Sequence, residues 1–141
     1  VPTLDFAFLC DYARQDPGTP IHALAIAIDT IGVPEVPTGR NLGVVARFLF
    51  TKNECGRPHR IEIFVQDTDG KRVAQITGTV EPQWSEDIPP GWPTGAALAL
   101  NFGIPLPTFG FYSVEFLMND SSVKSLNFRV VEVAAPENRQ P

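Results

Sequence analysis

Cysteine, histidine and methionine are almost missing from this chain, with two, two and one copies among 141 residues. Two cysteines, Cys10 and Cys55, are too few for a disulfide scaffold and point to a reduced, cytoplasmic protein, the alternative being a processed, secreted one with a single bridge. No Cys-x-x-Cys or His-x-x-x-His spacing supplies the ligands of a zinc site, so neither metal nor other cofactor is expected. No Gly-x-Ser-x-Gly elbow is present to raise a nucleophilic serine. Long apolar runs are missing too. None approaches the ~18–20 residues that cross a bilayer, so membrane insertion is not expected. Basic stretches are scarce, with 11 Lys and Arg against 16 Asp and Glu and a net charge of −5, which argues against nucleic acid. Val1-Pro2-Thr3-Leu4-Asp5 has no positive region ahead of an apolar one, so no signal peptide is read.

What is present is a period of two. In the last forty residues, Ser113-Val114-Glu115-Phe116-Leu117-Met118 alternates, turns at Asn119-Asp120-Ser121-Ser122, and returns as Leu126-Asn127-Phe128-Arg129-Val130. Alternation of that kind marks a half-buried strand, not a helix. The same reading predicts strands at 4–12, 22–31, 42–51, 60–66, 71–80 and 96–102. In the first, Leu4, Phe6, Phe8 and Cys10 share one face. In the second, Leu24, Ile26 and Ile28 oppose a row of alanines, Ala23, Ala25 and Ala27. Fourteen prolines fall between the apolar runs, as rigid turns between short strands require. Asp69-Gly70 is the sharpest hairpin signal, and Gly78 is read as a bulge. Residues 81–95 are read as one long loop. The expected fold is all-β, an immunoglobulin-like, Greek-key β-sandwich of about eight antiparallel strands. It forms a single domain over residues 1–133, with a frayed tail at 134–141. Gly110-Phe111-Tyr112 resembles the tyrosine corner of such sandwiches.

Leu9-Cys10-Asp11-Tyr12-Ala13, Gly56-Arg57-Pro58-His59, Asp69-Gly70 and Pro107-Thr108-Phe109-Gly110-Phe111-Tyr112 together resemble the punctuation of a family of small uncharacterised bacterial β-sandwich proteins. A departure lies at Thr19 to Ala25. Relatives there tend to carry a Gly-Lys turn, and this chain has Pro20-Ile21-His22. The resemblance implies a fold and carries no activity.

The candidates for chemistry are few. His22 and His59 read as surface residues at strand ends. Cys10 reads as a buried thiol and Cys55 as a loop thiol, with no support for pairing the two. Asp67-x-Asp69-Gly70 imitates a calcium loop, but Ile76 stands where the closing glutamate belongs, so a hairpin turn is the better reading. Glu62 and Glu115 are the only carboxylate pair worth weighing for glycoside hydrolysis, and no enzyme is expected. Lys52, Arg57, Arg60, Lys71 and Arg72 read as a solvated basic rim. Trp84 and Trp92 in the long loop form a candidate binding platform for a sugar or a protein, or else plug the open end of the sandwich with Ile88. Val45, Leu49, Phe64 and Leu117 point outward and form a candidate surface patch. The leading expectation is a non-catalytic module acting through protein contacts, self-association included. Carbohydrate or small-ligand binding through the tryptophans is the alternative, and an enzyme of unrecognised type is the second.

Overall fold

A computed structural model describes residues 2–16 and 20–134. The expected tail, apart from Ala134, and part of the turn after Gln15 lie outside the described residues. Among the described residues ten strands are formed: β1 (Thr3–Cys10), β2 (Tyr12–Arg14), β3 (His22–Leu24), β4 (Thr30–Val33), β5 (Thr38–Phe50), β6 (His59–Gln66), β7 (Arg72–Val80), β8 (Thr94–Leu106), β9 (Gly110–Met118) and β10 (Ser121–Glu132). One 3-10 turn, Lys52–Glu54, interrupts them.

The strands build two facing sheets, ordered β1-β5-β8 and β4-β10-β9-β6-β7, and a small ribbon of β2 and β3. Every pair is antiparallel except β4 with β10. The chain crosses between the two large sheets after β4, β5, β7 and β8, as the Greek-key connections of an immunoglobulin-like sandwich do. Its strands A, B and E correspond to β1, β5 and β8, while G, F, C and C′ correspond to β10, β9, β6 and β7. The tyrosine corner is present as expected. The Tyr112 hydroxyl donates to Thr108 O at 2.7 Å and accepts from Thr108 N–H at 3.2 Å. Its ring stacks on Phe128, with centroids 5.2 Å apart. Two residues beyond that corner, where antibody domains carry a bridging cysteine, stands Val114. It is fully buried, so packing replaces the covalent link.

The core lies between the sheets. Val44, Ala46, Phe48 and Phe50 from β5 face Ile61, Ile63 and Val65 from β6 and Val114, Phe116 and Met118 from β9. Each such side chain contributes about 1.5–3 kcal/mol relative to exposure.

Local geometry overturns several sequence expectations. A bulge at Asp5 breaks the alternation of β1, since Leu4 pairs with Phe48 but Phe6 pairs with Arg47. Leu4, Ala7 and Leu9 therefore face the core, while Phe6, Phe8 and Cys10 lie on the outer side. The expected strand over 22–31 is split in two, because Ala25 and Ala27 adopt positive φ of 55° and 66°. Pro105 falls inside β8. It is tolerated there because β8 is an edge strand, so one side of its backbone has no ladder to supply. Gly78 pairs in register with Ile61, and the irregularity of that hairpin sits instead between Val65 and Gln66. The last hairpin turns on two residues only, Asn119 and Asp120, both at positive φ, as a primed turn demands.

Candidate functional site

The β2–β3 ribbon docks on the outer face of the three-stranded sheet. Two observations explain how the layers approach so closely. Gly43 has no side chain, and a Cβ there would lie 2.6 Å from Cys10 Sγ and 3.2 Å from Ala13 N. Asn101 then acts as a surrogate strand for β2, its amide accepting from Ala13 N–H at 2.9 Å and donating to Ala13 O at 2.6 Å. Beneath the ribbon lies a second small core of Cys10, Ala13 and Val45, with Ala23 and Ala99 against it. On its outward side Tyr12 pairs with Leu24. These are 51% and 66% exposed, and Ile26 beyond them is 57% exposed.

A second feature occupies the end of the sandwich where β5, β7 and β9 finish. The 3-10 turn is fixed by Glu54, whose Oε1 accepts from the Thr51 N–H at 2.8 Å and the Thr51 hydroxyl at 3.0 Å. Burial pushes the Glu54 carboxyl up, but hydrogen bonds, those from Thr51 among them, hold it below its ordinary value. Gly56 N–H donates to Pro82 O at 2.8 Å and ties this turn to the long loop. The loop itself is two consecutive turns. One is closed by Ile88 N–H to Ser85 O at 3.0 Å, the other by Trp92 N–H to Pro89 O at 3.1 Å. Pro90 and Gly91 (φ 83°) are the central pair of a type II turn, which needs a fixed φ at the first position and a positive one at the second. Between the loop and the 3-10 turn runs a groove of about 680 Å³ lined by Lys52, Asn53, Trp84, Glu86, Ile88 and Trp92. The structure thus brings the two tryptophans to one groove. Trp84 is half-buried, but Trp92 is 65% exposed and plugs nothing.

The other candidates are dispersed. Val45 is 1% exposed, covered by the ribbon, so the reading of it as a surface residue fails. Leu49 is half-buried on the same sheet. Phe64 and Leu117 belong to the opposite sheet, so the four residues form no common patch. Phe64 is buried beneath the Arg72 guanidinium, 3.7 Å from the ring centroid. Arg72 also donates to Glu62 at 2.8 Å, and Ser125 donates to Glu115 at 2.8 Å. Both carboxylates are thus held by partners on the outer sheet face.

His59 begins β6 as expected but is buried, contrary to its reading as a surface residue. Its Nδ1 accepts from the Asn119 amide at 2.9 Å, and its Nε2–H donates to Glu54 O at 2.6 Å. Both ring nitrogens therefore serve the fold. His22 is exposed at the start of β3. The cysteines are free. Burial, then the charge of Asp11, pushes the Cys10 thiol up; burial, then Glu54, does the same for Cys55. Asp67 Oδ1 accepts from the N–H groups of Asp69 at 3.0 Å and Lys71 at 2.9 Å, closing the hairpin turn. Among the described residues no group of three or more His, Cys, Asp or Glu is placed to hold a metal ion. Among them, too, no helix is long and apolar enough to cross a membrane.

Comparison with known proteins places the chain. The sequence profile of a family of unknown function, DUF6941, matches residues 5–131. The chain belongs to that family. No curated protein matches it. Among solved structures it is similar to an immunoglobulin-like protein from Pseudomonas aeruginosa, at 14% identity over 93% of this chain and 97% of that one, with a TM-score of 0.41.

The alternation of side chains alone pointed to none of these surface features. The ribbon was hidden because Leu24 and Ile26 have the spacing of a continuous strand. A signal did exist in the alanine row, since Ala23 does sit under a close layer.

Proposed function

We propose that this member of DUF6941 is a non-catalytic recognition module that acts through protein contacts, with the β2–β3 ribbon as its contact face. The observation that carries this reading is the pair of left-handed alanines flanking Ile26, at φ 55° and 66°. An L-residue in that region costs about 1–2 kcal/mol. Here the strain supports a segment that leaves Leu24, Ile26 and Tyr12 in water. Local strain combined with clustered apolar exposure is the mark of a surface that another surface covers. A second copy of the chain is the nearest partner, because a two-fold axis through the ribbon would set apolar side chains against apolar ones.

Sedimentation velocity over a concentration series tests the proposal on the wild type and a Leu24→Glu/Ile26→Glu variant. The expected result is a dimer in the wild type and a monomer in the variant, with the same thermal midpoint for both only at dilutions where the wild type has dissociated. A wild type that stays monomeric at the highest attainable concentration removes self-association. A pull-down from the native host in which both proteins capture the same partners removes the ribbon.

A further inference from the structure

We propose that the groove between the Lys52–Glu54 turn and the 84–92 loop binds a neutral oligosaccharide. The inference stands apart from the ribbon, which lies on a sheet face and shares no residue with the groove. Five observations carry it.

The groove holds a large aromatic surface facing water, since Trp92 is 65% exposed. A flat indole suits a ligand with an apolar face and a polar rim, and a pyranose ring has both: axial C–H bonds on its faces and hydroxyls at its edge. Much of the remaining lining is polar and unengaged. Among the described residues the side chains of Lys52, Asn53 and Glu86 have no hydrogen-bond or ion-pair partner. The Asn53 amide offers a donor and an acceptor in one plane, Glu86 accepts from neighbouring hydroxyls, and Lys52 donates. That set matches vicinal hydroxyls, each of which both donates and accepts.

Charge selects among polar ligands. Lys52 and Glu86 carry opposite signs across one groove, so it favours neither an anion such as phosphate or a uronate nor a cation. The walls are also fixed before any ligand arrives. Two successive turns, a proline at each of positions 89, 90 and 93, and the Gly56–Pro82 hydrogen bond hold the loop against the 3-10 turn. Binding then orders little backbone, which preserves affinity. At about 680 Å³ the groove falls within the range of small-ligand sites, about 300–1,000 Å³.

The test is a titration of the full chain with neutral cello-, malto-, laminari- and chito-oligosaccharides, followed by tryptophan emission and calorimetry. At least one series is expected to bind and to shift the emission. Trp92→Ala should weaken that binding roughly tenfold or more. Asn53→Ala, which leaves both tryptophans in place, should weaken it severalfold. Both side chains face water, so the melting temperature should match wild type in each variant and separate lost binding from lost fold. A heparin-derived oligosaccharide and a proline-rich peptide complete the panel. Silence toward every neutral sugar, full affinity in Trp92→Ala, or binding of the anionic sugar or the peptide in preference would each overturn the proposal.

Discussion

Replacing Tyr112 by Phe removes one oxygen and leaves the ring stacked on Phe128. The substitution therefore isolates the corner hydroxyl, which joins Thr108 N–H and Thr108 O at 3.2 and 2.7 Å. A typical hydrogen bond contributes a net 0.5–1.5 kcal/mol, so two amount to roughly 1–3 kcal/mol. Thr108 is exposed, and water can take over part of what its backbone loses. The expected loss thus lies in the lower half of that range, about 1–2 kcal/mol. A urea slope of about 2 kcal/mol per molar, the middle of the usual range, turns such a loss into a midpoint shift of roughly 0.5–1 M. Equilibrium urea unfolding, read by tryptophan emission and by dichroism, measures it, and the slope should stay unchanged. Tyr12→Phe is the control. Tyr12 is half exposed on the ribbon, and its loss should fall within about 0.5 kcal/mol of wild type. Equal midpoints for Tyr112→Phe and wild type, or equal shifts for the two variants, would refute the claim that this hydroxyl secures the arch between β8 and β9.

Three further outcomes follow from the same geometry. Gly43→Ala places a Cβ within 2.6 Å of Cys10 Sγ under the ribbon, and should destabilise by about 1–3 kcal/mol in calorimetric unfolding. The Glu54 carboxyl is held below its ordinary value, so the stability it contributes is present above the unfolded carboxyl value and fades as pH falls through the folded one. Glu54→Gln should therefore be less stable than wild type at neutral pH, and the gap should narrow on acidification below about pH 4.5, in urea midpoints taken across that interval. The thiols should react in order. Cys55, partly exposed, should label slowly with a disulfide reagent in the native protein, and Cys10, fully buried, only on unfolding.

Where the chain keeps a regular pleat, its residues announced the structure. Val44, Ala46, Phe48 and Phe50 alternate along the strand expected at 42–51 and form one inward face, as Ile61, Ile63 and Val65 do along 60–66. The period-two argument fails where one residue breaks the count. Asp5 does this in β1, and every assignment beyond it changes side. It fails again at Ala25 and Ala27, because alternation in composition does not reveal the sign of φ. Val45 shows a third limit. It points out of the sandwich as expected, yet a separate ribbon, built from Tyr12–Arg14 and His22–Leu24 far earlier in the chain, arrives to cover it. The burial of His59 was equally hidden, since its partners Glu54 O and Asn119 come from two different turns. Trp84 and Trp92 were legible as loop residues. That they meet Lys52 and Asn53 depends on the sheet order, which no local pattern encodes.

That sheet order also explains why a groove forms at this end. Phe50 pairs with Thr94 and His59 pairs with Val80, so the ends of β5 and β7 and the starts of β6 and β8 converge. The connections 51–58 and 81–93 must therefore leave the sandwich side by side. Neither is bound by the alternation that commits every second strand residue to the core, so side chains such as Asn53, Glu86 and Trp92 are free to face water. In immunoglobulin-like domains the loop between strands B and C emerges at this end of the sandwich, and the 51–58 connection holds that position here. A rigid scaffold that brings two fixed loops together at one rim makes a binding surface without disturbing its core. The same logic separates the groove from the ribbon: Trp92→Ala should leave sedimentation unchanged, and Leu24→Glu/Ile26→Glu should leave sugar titrations unchanged. If either variant altered both readouts, the two surfaces would have to act as one, and the division of labour argued from this topology would be wrong.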